Sequence, residues 1–501
     1  MLDKTFFYIL QRAELGRSAR PIKCTGDERY NQEMLNHGKH PDYISDIDGG
    51  EHSSEEKMNL LILGVDSLRA DHMSCYGYHR HTTPHIDKIA EEGVLFENAY
   101  SPYIPTTPGY TTMLSGTDVM SHQVVSLRPK GPIEADIRLL PEILREKGYV
   151  SALVGFDGKF YRGFDLYENY PSWTVGEDNY MHKAEALNEK AIPLLDSMAD
   201  KPFLLFLRHM DPHSPYLPPP PFERMFYSGD EKDPSKNSIE PVFDFKPFAE
   251  YFKSWMPEGV TDAEYIVAQY DAELAYMDVC IQQILTRLEE LDLMDRTLII
   301  VTSDHGETLM EHECYFDHHG LYEPTVHVPL ILKDSNRLPR GERIEGQVLL
   351  QDVTPTILEL LGFSEVVREL NMDGKSCLPL INGERLTNYT EFYLTECTWM
   401  RKRGWRTPEW KLIQALEPDF HNKPSIELYN LNEDPGENNN LAEEEREVTK
   451  VLKDRMERWV KKRISETGKS DPILGYRLGL DLKIGSVKKA RDLQAVDENE
   501  N

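Results

Sequence analysis

Three near-continuous apolar runs, Asn59 to Val65, Phe203 to Leu207 and Thr297 to Val301, have strand length and suit strands covered on both faces. Between them the apolar positions recur at helical spacing. Leu139, Leu140, Ile143 and Leu144 precede Lys147-Gly148, and a longer pattern from Asp262 to Leu293 carries Tyr265, Ile266, Leu274, Met277, Ile281 and Leu285. Strands alternating with helices predict an α/β fold, a sheet sandwiched by helices. The pattern shifts near Asp373 to Gly383, after a helix-like stretch from Val353 to Leu361. Short strands are expected beyond it at Phe392 to Thr398, Trp410 to Leu416 and Ile426 to Leu431. An amphipathic helix follows through Val448, Leu452, Met456, Trp459 and Val460. The expected organisation is an N-terminal arm (1–57), a main domain (58–375), a smaller C-terminal α+β domain (376–470) and a tail (471–501).

Composition narrows the partners. In 501 residues, 86 acidic side chains against 56 basic ones give a net charge of −30, a field that repels polyanions and argues against nucleic acid. An anionic small substrate stays open, because a bound metal ion can reverse the field locally. No apolar run approaches the ~20 residues of a membrane span, so no membrane partner is expected. Phe6 to Leu10 is too short for a secretory core. The six cysteines show no C-x-x-C pairing and read as reduced thiols, which together with the missing leader predicts a cytoplasmic protein. The long acidic helix and both terminal arms permit a homo-oligomer.

Each apolar run leads straight into residues of ligand type: Asp66 after the first, His209, Asp211 and His213 after the second, Asp304 and His305 after the third. Ligands of open α/β sheets bind beyond the carboxyl ends of the strands, where groups distant in sequence converge. A fourth element is the stretch TTPGYTTMLSG from Thr106. Thr107 and Pro108 suit an N-cap and first helical position, with Tyr110, Met113 and Leu114 on the apolar face. Thr106 would then stand at a helix N-terminus, where free amides and the helix dipole favour an anion.

From about Met58 to Leu441 the chain resembles the sulfatase branch of the alkaline phosphatase superfamily. The resemblance rests on NLLILGVDSLRADHMSCYGY (59–78), TPHIDKIAEEGVLFENAYS (83–101), DPHSPY (211–216), SDHGE (303–307), LYEPTVHVPLIL (321–332) and ELYNLNEDPGENNNLA (427–442). It implies an alkaline phosphatase-like mixed sheet between helices, a smaller C-terminal sheet domain, and a metal-dependent hydrolase of small anionic esters. It places Asp66, Asp304 and His305 on one divalent ion, with Thr106 at the nucleophile position and also on the metal, and His213 near the anionic group. Carboxylates with an imidazole suit Mn²⁺ or Zn²⁺ at least as well as Ca²⁺.

The departures from that family are as informative. Its C/S-x-P-x-R motif, whose first residue becomes formylglycine, reads Thr106-Thr107-Pro108-Gly109-Tyr110 here, and Thr cannot become that aldehyde. Tyr110 replaces the motif's Arg, Ser67 replaces the second metal Asp, Lys159 is the remaining candidate for one pocket Lys, and His318 stands where another is expected. The resemblance therefore implies substrate contacts from Tyr110, Lys159 and His318. A Thr nucleophile resembles instead the phosphodiesterase, phosphonate-ester hydrolase and phosphoethanolamine-transferase relatives. His319-Gly320 resembles their His-Gly, so Asp211, His213 and His319 are candidates for a second metal. His213 and His319 are candidate acids for the leaving group. The expected activity is metal-dependent hydrolysis of phosphoric or phosphonic esters by Thr106. The alternatives are sulfate-ester hydrolysis without formylglycine and a catalytically silent metal-binding protein. Arg69 and Asp71 are expected to pair beneath the site, and the basic residues Arg401, Lys402, Arg403 and Lys411 to form a solvated face.

Overall fold

The computed structural model describes residues 57–127, 132–156, 162–419 and 421–475. Lys159, nearly all of the N-terminal arm and most of the C-terminal tail lie outside them. An eight-stranded sheet carries β1 (Asn59–Val65), β2 (Val150–Gly155), β3 (Phe203–His209) and β4 (Thr297–Ser303), all parallel and lying side by side in the order β4-β1-β3-β2. Val65 is level with His209 on one side and Ser303 on the other, so three chain segments leave one sheet edge at the same height. Leu166–Asn169 extends the sheet beyond β2, while Leu330–Lys333 pairs antiparallel with β4 and makes the sheet mixed. β3 and β4 run two residues past their apolar stretches, because pairing with β1 continues through Arg208-His209 and Thr302-Ser303.

The unbroken apolar character of these strands has a direct cause. Leu61, Leu63 and Val65 join one core with residues of α2 (Lys183–Met198) and α3 (Ala263–Glu290). Leu60 and Ile62 join a second core with α1 (Thr106–Ser115) and α4 (Val353–Leu360). Each such side chain gains about 1.5–3 kcal/mol on burial, so neither face can be polar. Asp262 caps α3 by accepting from the Glu264 amide, which fixes the start expected from the sequence.

A five-stranded sheet is built from β5 (Phe392–Cys397), β6 (Arg401–Arg406), β7 (Trp410–Ala415) and β8 (Ile426–Asn430), with Tyr103–Ile104 added in parallel beside β5. The basic segment expected to be a solvated face is instead strand β6. Lys402 is fully buried with its Nζ 2.6 Å from Asp419, and Lys411 on β7 is buried 2.8 Å from Glu323 and 2.7 Å from Glu437. Carboxylates from the loop residues Asp419 and Glu437 and from Glu323, which opens the short helix Glu323–Val326, make those positions tolerable, and their placement has no period in the sequence. α5 (Arg446–Thr467) covers this sheet through Leu452, Met456 and Val460. Among the described residues no helix is long and apolar enough to cross a membrane.

Candidate active site

Asp66 follows β1, Asp304 and His305 follow β4, and Thr106 opens α1. The helix starts two residues earlier than the capping pattern predicts, with Pro105 at the N-cap position. Thr107 donates its hydroxyl to the Leu127 carbonyl at 2.8 Å and caps nothing, which leaves Thr106 as the first helical residue. Gly109 permits the approach of this helix to the sheet edge, since a Cβ there would lie 2.7 Å from the Asp304 carbonyl oxygen.

The level strand ends bring Asp66, Asp304 and His305 together, all buried, with one ligand atom from each within 4.8 Å of the others. His305 Nε2 lies 3.7 Å from Asp66 Oδ1, 3.5 Å from Asp304 Oδ2 and 3.1 Å from Thr106 Oγ1. His305 Nδ1 lies 2.9 Å from the Gly306 carbonyl, so it carries the proton and Nε2 offers its lone pair. Asp66 Oδ1 and Asp304 Oδ2 are buried without a hydrogen-bond partner among the described residues. Two such oxygens beside an imidazole lone pair and a hydroxyl fit a divalent cation. Burial and the charge of Asp66 push the Asp304 carboxyl well above the usual range, and burial lowers His305. Burial would also raise Asp66, but the Arg208 guanidinium overrides it and brings Asp66 down to about 2.

Arg208 escaped the sequence reading. It donates to Asp66 Oδ2 at 2.6 Å and to the Phe156 carbonyl at 2.6 Å, and its guanidinium lies 3.7 Å from the Phe156 ring centroid and 5.6 Å from that of Tyr110. The readable signal was a cation directly continuing a buried apolar run, which requires a carboxylate within reach. Tyr110, expected to touch substrate, is fully buried against Phe206 with ring centroids 5.3 Å apart. That position is one turn into α1, on the face turned to the sheet, so Tyr110 packs beneath the site.

The histidines divide. His318 stacks on His305 at 4.4 Å, and His213 lies 5.6 Å from His318, so both stand beside the cluster. His213 Nδ1 lies 2.8 Å from the Ser214 carbonyl, and Trp173, 55% exposed, meets the His213 ring at 5.3 Å. Burial lowers both His213 and His318 to about 4. Among the described residues, Asp211, His213 and His319 do not gather into one metal-capable group. Asp211 lies 3.5 Å from Lys183 Nζ, which Glu273 also holds at 2.8 Å, while His319 lies 3.0 Å from Glu396. Asp211, His213 and His319 are thus engaged in three separate settings, with Lys183, the Ser214 carbonyl and Glu396 respectively. His209 is buried on β3, and His312 stacks on Tyr322 at 3.7 Å. Arg69 pairs with Asp71 at 2.7 Å and with Glu311 at 2.7 Å, joining the loops after β1 and β4.

A parallel-centred α/β sheet with carboxylates, an imidazole and a helix-terminal hydroxyl gathered at its strand ends is the architecture of a metal-dependent hydrolase. The sulfatase family profile matches residues 58–363, and the C-terminal profile of N-sulphoglucosamine sulphohydrolase matches residues 310–462. The chain belongs to the sulfatase family, within the alkaline phosphatase superfamily. Enzymes of this family are metal-dependent hydrolases. The N-acetylglucosamine-6-O-sulfatase of Bacteroides thetaiotaomicron is 25% identical over 494 residues, covering 80% of this chain and 86% of that one. The multifunctional alkaline phosphatase superfamily protein PehA of Trinickia caryophylli is 25% identical over 402 residues, covering 65% and 77%. The phosphonate monoester hydrolase of Silicibacter pomeroyi shares the fold with a TM-score of 0.65 at 20% identity, covering 82% of this chain and 96% of that one.

Proposed function

We propose that this protein hydrolyses phosphoric or phosphonic esters with Thr106 as its nucleophile. The observation that carries the reading is the Thr106 hydroxyl, 3.1 Å from His305 Nε2 at the first position of α1, in a sequence with neither Cys nor Ser at that place. A divalent ion held by Asp66, Asp304 and His305 would supply the Lewis acidity that lowers the hydroxyl pKa and screens the attacked anion. Asp304, whose Oδ2 stands 3.5 Å from the same His305 Nε2 that the Thr106 hydroxyl meets, accepts the hydroxyl proton as Oγ1 bonds to phosphorus. The bond from phosphorus to the leaving alcohol breaks, and the alcohol takes a proton from His213 or His318. Water then cleaves the Oγ1–P bond and restores Thr106. Buried imidazoles are poor proton carriers until an anionic ester arrives, whose charge raises their proton affinity.

Sulfate esters are the second reading, favoured by the similarity to a Bacteroides sulfatase. Turnover of aryl phosphodiester, phosphonate monoester, phosphomonoester and sulfate ester, with Mn²⁺, Zn²⁺ and Ca²⁺ supplied separately, decides between them. Thr106→Ala should lower kcat on the preferred phosphoryl ester on the order of 10⁴-fold or more. Sulfate ester as the best substrate, or turnover that survives Thr106→Ala, would overturn the proposal.

A further inference from the structure

A second cluster lies outside the site just described and does not depend on its chemistry. Cys314 and His319 come from the segment between β4 and Leu330–Lys333, and His421 comes from the connection between β7 and β8. All three are buried, and one ligand atom of each lies within 4.8 Å of the other two. His421 Nδ1 lies 3.1 Å from the Glu313 carbonyl, so Nε2 is the atom it can offer. His319 Nδ1 lies 3.0 Å from Glu396 Oε1, which likewise leaves Nε2, and Asp419 Oδ2 is 3.8 Å from that nitrogen. His421 is therefore steadied through its far nitrogen by a backbone carbonyl, the outer arrangement that metal-bound histidines show, while the far nitrogen of His319 faces a carboxylate.

We propose that Cys314, His319 and His421 form a structural zinc site, with Asp419 or a water as the fourth ligand. A thiolate with two imidazoles favours Zn²⁺ over Ca²⁺ or Mg²⁺, which take oxygen shells. The opposing charge is Lys402, 2.6 Å from Asp419. Asp419 and Glu427 flank that ammonium and Glu396 faces His319, so the nest carries three carboxylates. Zinc binding releases the Cys314 thiol proton to solvent and forms the Zn–S bond without any change of oxidation state. The ion would pin the segment carrying His318, through its neighbour His319, to the C-terminal sheet.

The test uses the full chain carrying Asp304→Asn, which removes a ligand of the first site, loaded with zinc, dialysed and assayed for metal. Zinc retained in proportion to chain is expected, and adding Cys314→Ala or His421→Ala should abolish it, whereas adding Cys75→Ala, at a thiol outside the cluster, should not. Should the added substitutions prevent folding, zinc K-edge absorption of the Asp304→Asn protein decides. It should show one sulfur at about 2.3 Å and nitrogens at about 2.0–2.1 Å. No retained zinc, zinc held by nitrogen and oxygen alone, or zinc that survives Cys314→Ala in folded protein would overturn the proposal.

Discussion

His318 and His319 are consecutive in the chain, yet one stacks on His305, which meets the Thr106 hydroxyl, and the other meets Glu396 and Asp419 against the C-terminal sheet. They belong to two clusters built in different ways. Asp66, Asp304 and His305 are gathered by the register of parallel strands, so their meeting is dictated by backbone pairing that buried apolar residues enforce. Cys314, His319 and His421 are gathered by two loops and held by side-chain contacts. A strand-built cluster should survive the loss of any one neighbouring side chain in place, whereas a loop-built one should depend on each of its contacts.

The largest effect that would sharpen this contrast is Lys402→Met. With a chelator present, it leaves Asp419 and Glu427 buried without their ammonium and should destabilise the protein by about 3–5 kcal/mol, read from urea unfolding. Unchanged stability would mean that the loop-built cluster has other support. Next comes Gly109→Ala, which forces a methyl group to 2.7 Å from the Asp304 carbonyl. The strand-built ligands should stay while α1 shifts, so kcat should fall about 10²-fold with metal affinity nearly unchanged. Loss of metal together with activity would break the claim that strand register alone fixes the ligands.

The smallest effect concerns Glu311, where burial would raise the carboxyl but the Arg69 guanidinium wins and brings it to about 2. A depressed folded pKa stabilises above the unfolded value of about 4.3 and is lost as pH falls through about 2. Glu311→Gln should therefore flatten the acid limb of the stability curve between those values. At higher pH it should cost under about 1 kcal/mol, because the carboxylate is partly exposed. An unchanged acid limb would show that Arg69 gains nothing from bridging the two strand-end loops.

Legibility followed the same division. β1 was readable to the residue, and Asp66, Asp304 and His305 could be brought together from sequence because apolar runs mark strands and strands in parallel register deliver their ends to one edge. Arg208 lay in plain view at the end of such a run, but its partner could be known only from the pairing of β3 with β1. Tyr110 was misplaced because its motif position suggested the pocket, while its helical phase turns it to the core. Strand β6 and the burial of Lys402 and Lys411 were hidden because their carboxylate partners come from loops and neighbouring strands whose approach leaves no periodic trace. The contact of His319 with Glu396 and Asp419 could not be read from the two-residue His319-Gly320 likeness, which is too short to say which way a side chain leaves the backbone.

Tyr103–Ile104 pairs with Thr395–Glu396 of β5, two residues ahead of the helix that opens with Thr106. The partner strands are separated by 395 − 103 = 292 residues, which at about 5–20 residues per second takes a ribosome roughly 15–60 s to make. For that interval the approach to the helix that opens with Thr106 has no strand beside it. The parallel sheet and its carboxylates can assemble first, and competence for chemistry is then acquired near the end of synthesis, when the last sheet closes over the segment leading into Thr106.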